Sequence, residues 1–220
     1  MILARDLKLK ILNSKYPVAF TGAGVSISSG ISILDSNYFG YQLSDVLTID
    51  FFSSHIITFY KVYAEILKWT KLQPNIVHEA LFKLSIPIIT QNLDGLHTKA
   101  GSKDVIELHG NLNFLECENC DLKIASHKLF KKNVSENSLK ETILCKNCGN
   151  ILKPNLVLFG QPILKFNEAV EKIDKSDLLL VIGNSLKVWP ANQLIKKAAE
   201  QKCEIVDINS NCENLFNFPI

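Results

Sequence analysis

The chain has 220 residues, with 24 Lys and Arg against 22 Asp and Glu for a formal net charge of +2, and 47% apolar to 21% charged residues. This is the profile of an ordinary globular protein; it excludes a disordered chain, a collagen-like repeat and a coiled coil, and it argues against a surface built to neutralise phosphates. No apolar run approaches the roughly 20 residues that span a bilayer, and Met1–Ser14 mixes charges into its apolar residues without a signal-peptide core, so a cytoplasmic protein with no membrane contact is expected.

In chain order, a helix is expected over Arg5–Leu12 and a strand over Pro17–Thr21. The strand runs into Thr21-Gly22-Ala23-Gly24-Val25-Ser26, where two glycines allow a tight turn and close approach of backbone to a phosphate. The third glycine of the usual dinucleotide fingerprint would fall at Ile27, so a plain tight turn explains this motif equally well on its own. Asn37–Lys71 is rich in aromatics and is expected to be helical, chiefly over Phe52–Trp69. A helix over Ile76–Leu84 precedes a strand over Ile86–Thr90, which opens into Thr90-Gln91-Asn92-Leu93-Asp94-Gly95-Leu96-His97. Amide and carboxylate groups at the carboxyl end of a parallel strand are placed to face a ligand; capping of a helix by Asn92 or Asp94 is the plainer use. The strand Val105–Leu108 leads into Glu107-Leu108-His109-Gly110, whose histidine can act as a base near neutral pH or serve structure alone.

Cys117-x-x-Cys120 and Cys145-x-x-Cys148 are separated by 24 residues with a Lys/Ser/Asn-rich middle. Two such turns can aim four thiolates at one zinc ion, a closed and therefore structural site. Four unrelated thiols or two disulfides are the alternative, disfavoured in the cytosol. Cys203 and Cys212 lie outside the cluster, and Lys123, Lys128, Lys131 and Lys132 read as a solvated face rather than a nucleic-acid surface. Strands are expected over Asn155–Phe159, Leu178–Gly183 and Glu204–Ile208, with helices over Asn167–Ile173 and Ala191–Gln201. Two further motifs close strands here: Gly183-Asn184-Ser185-Leu186-x-Val188-x-Pro190-Ala191, and Asp207-Ile208-Asn209. The strands are rich in Val, Ile and Leu and do not alternate, as in strands buried on both faces of a parallel sheet. Alternation of strand and helix predicts an open, doubly wound α/β sheet interrupted by two insertions.

Taken together and in order, these motifs resemble the sirtuin family of NAD-dependent protein deacylases from about Val18 to Asn209, with smaller matches at Phe59-Tyr60, Pro74-Asn75 with His78, and Phe159-Gly160. The resemblance implies a Rossmann-like open parallel sheet formed by residues 1–36, 72–114 and 151–220. It also implies a small lobe made of a helical module, 37–71, and a zinc-binding module, 115–150, with one structural Zn2+ on Cys117, Cys120, Cys145 and Cys148. NAD and an acylated lysine of a protein substrate would enter the cleft between the lobes from opposite sides. Gly22, Ala23, Gly24 and Ser26 would lie along the NAD phosphates and nearby ribose. Gln91, Asn92 and Asp94 would line the ribose and nicotinamide pocket, and Gly183, Asn184, Ser185 and Asn209 the adenosine half. His109 matches the general base, with Asn92 and Asp94 beside it; Tyr60, Phe159 and Gly160 fall on the substrate side. The products would be free lysine, nicotinamide and O-acyl-ADP-ribose, and the protein is expected to be a monomer.

Two departures stand out. Where the family reads S-G-I-P-x-F-R, this chain reads Ser29-Gly30-Ile31-Ser32-Ile33-Leu34-Asp35, without the aromatic and the arginine. Where relatives that prefer acidic acyl groups carry Tyr and Arg three apart, this chain has Tyr60 and Tyr63, which implies neutral acyl groups. The altered loop keeps two alternatives open: a sirtuin-fold enzyme that transfers ADP-ribose or hydrolyses NAD, and a non-enzymatic NAD- or partner-binding module.

Overall fold

In a computed structural model of the chain, the described residues are 2–31, 36–130, 136–184, 192–209 and 211–219. Ser185, the Ser32–Asp35 segment and Val188, Pro190 and Ala191 lie outside them. Ten strands are described: β1 Pro17–Thr21, β2 Asn37–Tyr38, β3 Tyr41–Gln42, β4 Ile88–Thr90, β5 Val105–Glu107, β6 Gly110–Glu116, β7 Lys123–Ala125, β8 Lys153–Leu156, β9 Leu178–Ile182 and β10 Glu204–Ile208. The chain divides into two compact units, one of Met1–Ile31, Leu72–His109 and Ile163–Ile220, the other of Ser32–Lys71 and Gly110–Pro162.

The first unit is built on a five-stranded sheet in the order β10-β9-β1-β4-β5, and every neighbouring pair is parallel. It is the α/β sheet that the sequence predicts. β9 is buried at all five positions, and its side chains divide by parity between two cores. Leu178, Leu180 and Ile182 pack with Ala19 and Ile88 under Leu7 and Ile11 of helix Ala4–Asn13, Val77 and Leu81 of helix Ile76–Lys83, and Phe216. Leu179 and Val181 pack with Val18, Phe20 and Ile89 under Ala169 and Ile173 of helix Phe166–Asp174, and Leu194 and Ala198 of helix Gln193–Glu200. Burying Leu or Ile side chains on both faces contributes about 1.5–3 kcal/mol each before the entropy of ordering is deducted.

Three expectations need correction. Residues 155–159 do not join this sheet. β8 spans Lys153–Leu156, pairs antiparallel with β6 in a separate three-stranded sheet, and alternates in burial. Lys153 and Asn155 make it a one-faced strand, the pattern of an antiparallel sheet. β10 is also not buried on both faces: it is an edge strand with Glu204 and Asp207 exposed. The helix expected over Phe52–Trp69 is three pieces, Ile49–Ser54, Ile56–Ile66 and a 3-10 segment Leu67–Lys71, and it is preceded by the small β2–β3 hairpin. Ser53 and Ser54 donate back to the carbonyls of Ile49 and Asp50, and His55 adopts non-helical dihedrals, φ −131° and ψ 46°. Such hydroxyls compete with the helical ladder.

The second unit holds that helical segment, the β7-β6-β8 sheet and all four paired cysteines. Its centre is aromatic: Phe59, Tyr60 and Tyr63 are essentially inaccessible and stack with one another and with Phe130. Among the described residues no helix is long and apolar enough to cross a membrane.

Candidate functional site

Register places five of the sequence motifs on one edge of the large sheet. Thr21 is level with both Thr90 and Ile182, Thr90 with Glu107, and Ile182 with Ile208. The segments that follow, from Gly22, Gln91, Leu108, Gly183 and Asn209, therefore all leave from the carboxyl edge of the sheet. Chain order also reverses here: β1 is followed by β4 and β5 on one side and by β9 and β10 on the other. Ligands of open α/β sheets bind at such a switch point.

The glycines of the first turn answer to each other. Gly24 N–H donates to the Gly183 carbonyl at 2.8 Å, and a Cβ on Gly22 or Gly24 would lie 2.7 Å from Gly183 backbone atoms. Gly183 has φ +59°, and a Cβ there would collide with the Gly24–Val25 backbone. Gly22 has φ −122°, open to any residue, so its glycine is required by packing between the two turns and not by its own dihedrals. Ala23 is half-buried in the same turn. Beside it, Asn209 Oδ1 accepts from the buried Asn184 N–H at 2.7 Å and ties the end of β10 to that of β9.

Beneath the turn lies a buried polar cluster. Asn92 is 8% exposed; its Nδ2 donates to the Gly22 carbonyl at 3.1 Å and to Ser26 Oγ at 3.2 Å. Asp94, 4% exposed, accepts from Leu96 N–H at 2.8 Å and also bonds the Ser26 hydroxyl. Asp94 thus takes up the first N–H of the helix Leu96–Ala100, whose N-cap is Gly95, and at the same time faces the cluster. Burial pushes its carboxyl above the ordinary range. Thr21 Oγ1 bonds Thr90 Oγ1 at 2.8 Å and meets His97 Nε2 at 3.0 Å, while Ser26 Oγ meets His78 Nε2 at 3.3 Å. The two imidazoles are tilted against each other at 4.7 Å, and burial lowers both, His78 to about 4. Thr21, His78 and His97 hold this cluster together without a role assigned from sequence; the available signal was Pro74-Asn75 before an apolar helix, the mark of an N-cap three residues ahead of His78.

His109 is half-buried, and its Nδ1 lies 3.1 Å from the Gln91 carbonyl oxygen. A carbonyl only accepts, so Nδ1 carries the proton and Nε2 keeps its lone pair. Burial lowers the imidazole's pKa, which the Gln91 bond partly offsets, so the ring is neutral and ready to take a proton.

The remaining candidates lie in the second unit. Phe159 is 41% exposed, and its N–H and C=O are spent on Leu47 and Ile49; a Cβ on Gly160 would press on Ile49. Tyr60, expected on the substrate side, instead donates its hydroxyl to the Leu152 carbonyl from a fully buried position. The Tyr63 hydroxyl is taken by the Leu112 carbonyl at 3.0 Å and Ser126 Oγ at 2.8 Å. The Sγ atoms of Cys117, Cys120, Cys145 and Cys148 all lie within 4.8 Å of one another and can hold one metal ion. None of the six cysteines is in a disulfide; Cys203 is buried beside Ser176, and Cys212 bonds the Ile208 carbonyl.

A parallel α/β sheet with a glycine turn at its switch point and buried amide, carboxyl and imidazole groups beside it defines a nucleotide-binding enzyme of the Rossmann type. The Sir2 family model matches residues 22–190. An NAD-dependent protein deacetylase of Clostridium tetani is 37% identical over 221 residues, covering 94% of this chain and 87% of its own length. One of Sulfolobus acidocaldarius is 38% identical over 199 residues, covering 87% of this chain and 77% of its own. Among solved structures, a Sir2 bound to a p53 peptide and NAD+ has a TM-score of 0.85 at 30% identity, covering 98% of this chain and 96% of its own. Sir2Tm bound to a propionylated peptide has a TM-score of 0.82 at 33% identity, covering 94% and 86%. The chain belongs to the Sir2 family.

Proposed function

We propose that this protein is an NAD-dependent protein-lysine deacylase acting on acylated lysine side chains, with the large unit as the NAD-binding domain. The observation that carries the reading is His109, held by the Gln91 carbonyl in the tautomer that leaves Nε2 free, at the same sheet edge as the Ser26–Asn92–Asp94 cluster. Gly22, Ala23, Gly24 and Ser26 would hold the phosphates and nearby ribose, Gln91, Asn92 and Asp94 the nicotinamide ribose, and Gly183, Asn184, Ser185 and Asn209 the adenosine half. Buried amides beside a carboxyl group fit a ribosyl group rich in hydroxyls. Bound NAD supplies an activated ribosyl carbon and a leaving nicotinamide. The chain's own part is to exclude water, to orient hydroxyls through Asn92 and Asp94, and to take a proton at His109 Nε2. Phe159 and Gly160 would flank the peptide; Tyr60 supports that side through packing.

The four-cysteine cluster fits one structural zinc ion. Tetrahedral Zn–S bonds of about 2.3 Å put neighbouring sulfurs about 3.8 Å apart. Three of the Sγ pairs stand at 3.4, 3.5 and 3.7 Å, far beyond a disulfide's bond length of about 2 Å. The four thiolates would fix the 115–150 segment and take no part in the reaction. The absence of a spanning helix among the described residues supports a cytoplasmic setting, and a monomer acting on protein substrates remains our reading.

The test is to incubate the purified protein with NAD and an acetylated peptide and identify the products. O-acetyl-ADP-ribose and free lysine are expected, and His109→Ala should cost about 10²–10⁴ in rate while NAD still shifts the melting temperature. ADP-ribose released without deacylation would replace this reading with NAD hydrolysis.

A further inference from the structure

The turn that carries Phe159 and Gly160 is closed twice by one residue. Gln161 N–H donates to the Leu158 carbonyl at 2.9 Å, and Gln161 Oε1 accepts from Leu158 N–H at 3.0 Å. Leu158 is 2% exposed, so this oxygen keeps its N–H from being a buried orphan. A backbone N–H only donates, which fixes the side-chain amide: Oε1 lies on Leu158, and Nε2 is turned away from it. Gln161 is half-buried, and among the described residues no acceptor meets its Nε2 protons. The other groups of the turn are largely spent. Phe159 N–H donates to the Leu47 carbonyl at 2.8 Å, and its C=O accepts from Ile49 N–H at 3.1 Å. Gly160 is exposed at φ +98°, and among the described residues its N–H and C=O have no backbone partner. Pro162 has no N–H to add. A peptide lying along this turn would meet Gly160 through its main chain, whatever its sequence. The Gln161 amide is the polar side chain there that can tell one peptide side chain from another.

We propose that Gln161 is a specificity-determining residue for the protein substrate: its outward Nε2, which only donates, selects a hydrogen-bond acceptor, best a carboxylate, on a residue next to the acylated lysine, and disfavours lysine or arginine there. The proposal rests on the reading of Phe159 and Gly160 as flanking the peptide. A carboxylate accepts an Nε2 proton in a charge-assisted bond, whereas an ammonium or guanidinium brings only further donors. Glutamate in place of Gln161 would keep an acceptor for Leu158 N–H, and with it the turn, but its second oxygen would face outward as part of a negative charge. Gln161→Glu therefore reverses what the turn selects without removing what holds it.

The test compares acetylated peptides that differ only in carrying Glu or Lys beside the acetyl-lysine, placed in turn on its N-terminal and its C-terminal side. In steady-state deacylation the wild-type protein should favour the Glu peptide about fivefold in kcat/KM on one of the two sides. Gln161→Glu should reverse that preference, with KM for NAD within about twofold and the melting temperature unchanged. Equal values for the Glu and Lys peptides would mean that the amide meets only main chain or water, and would overturn the proposal. A wild-type preference for Lys, or a preference that Gln161→Glu leaves in place, would overturn it too. If that variant fails to fold, Gln161→Met, which has no N–H to donate, should bring the ratio close to one; an unchanged ratio would sink the proposal. Normal deacylation with equal values keeps the deacylase reading and removes this one. The converse is no O-acetyl-ADP-ribose but tighter binding of the Glu peptide, measured by fluorescence anisotropy; it removes the deacylase reading and keeps the selectivity assigned to Gln161. No binding of either peptide and no product would end both.

Discussion

The two compact units are held by different physics. The large one is a parallel sheet with apolar side chains on both faces, and a cluster of buried polar side chains, Thr21, Ser26, His78, Thr90, Asn92, Asp94 and His97, lies at the carboxyl edge where the ligand motifs sit. The other has a three-stranded sheet of short strands, an aromatic centre, and two tyrosine hydroxyls fastened to the backbone carbonyls of Leu152 and Leu112. Burial drives both phenols' pKa upward, so at any working pH they are donors. Four thiols lie together at one place in this unit. The lesson is that the first unit rests on area removed from water, while the second rests on a few directional bonds and, in our reading, on an ion.

The sharpest way to break that contrast is to remove the ion. Cys145→Ser, or chelation of the wild-type protein, should cost the second unit most of its folding free energy, since structural zinc supplies about 10 kcal/mol or more. Hydrogen exchange should show β6, β7 and β8 amides losing protection while β1, β4 and β9 keep theirs. Protection retained in β6–β8 of metal-free protein would mean the unit stands on its aromatic centre alone.

The converse change strikes the large unit. Gly183→Ala forces a side chain into φ +59° and against the Gly24–Val25 backbone, and should cost on the order of 4 kcal/mol. Its mark would be a lower denaturation midpoint for the sheet with metal content unchanged; a midpoint within error of wild type would show that the two turns can separate freely.

Acid also separates the units. His78 and His97 are buried and neutral, with folded pKa values below the unfolded value of about 6.5. Their contribution is complete above pH 6.5 and is lost as pH falls, through about 4 for His78, on the order of 3 kcal/mol for that group. Asp94, with its pKa raised, works in the opposite direction and offsets part of the loss. Melting temperature should fall between pH 7 and pH 4.5, and less steeply in His78→Gln; a flat profile would contradict the burial of the pair.

The smallest effect is expected from Tyr63→Phe. It leaves the Leu112 carbonyl and Ser126 without the phenol and should cost about 1–3 kcal/mol, read as a lower midpoint confined to the second unit. No change would assign the hold on the helix to ring packing alone.

Much of the large unit was legible because its signals are local. Pro17–Thr21 and Glu204–Ile208 were bounded to the residue, and Leu178–Ile182 nearly so, since apolar β-branched runs end at glycine or a polar cluster. The second unit was harder to read. Residues 156–159, most of the strand expected over Asn155–Phe159, look as apolar as a core strand, but only the pairing of β8 with β6 shows that this stretch enters from another sheet. The break at His55 depends on two serine hydroxyls choosing the backbone over water.

The same division runs through the candidate site. By itself the sequence determined the alternation of strand and helix, the four cysteines in two close pairs, and the motifs that end each strand, because spacing and residue type act over a few positions. Only the tertiary structure decided that Gly22 and Gly24 are glycines for the sake of Gly183. It alone revealed that Tyr60 spends its hydroxyl inside the core, and that Asn75 and His78 lie beneath Ser26. These depend on which backbone or ring fills the space beside a residue, and that neighbour is brought there by the sheet order and the helices packed on it, from dozens of positions away in the chain.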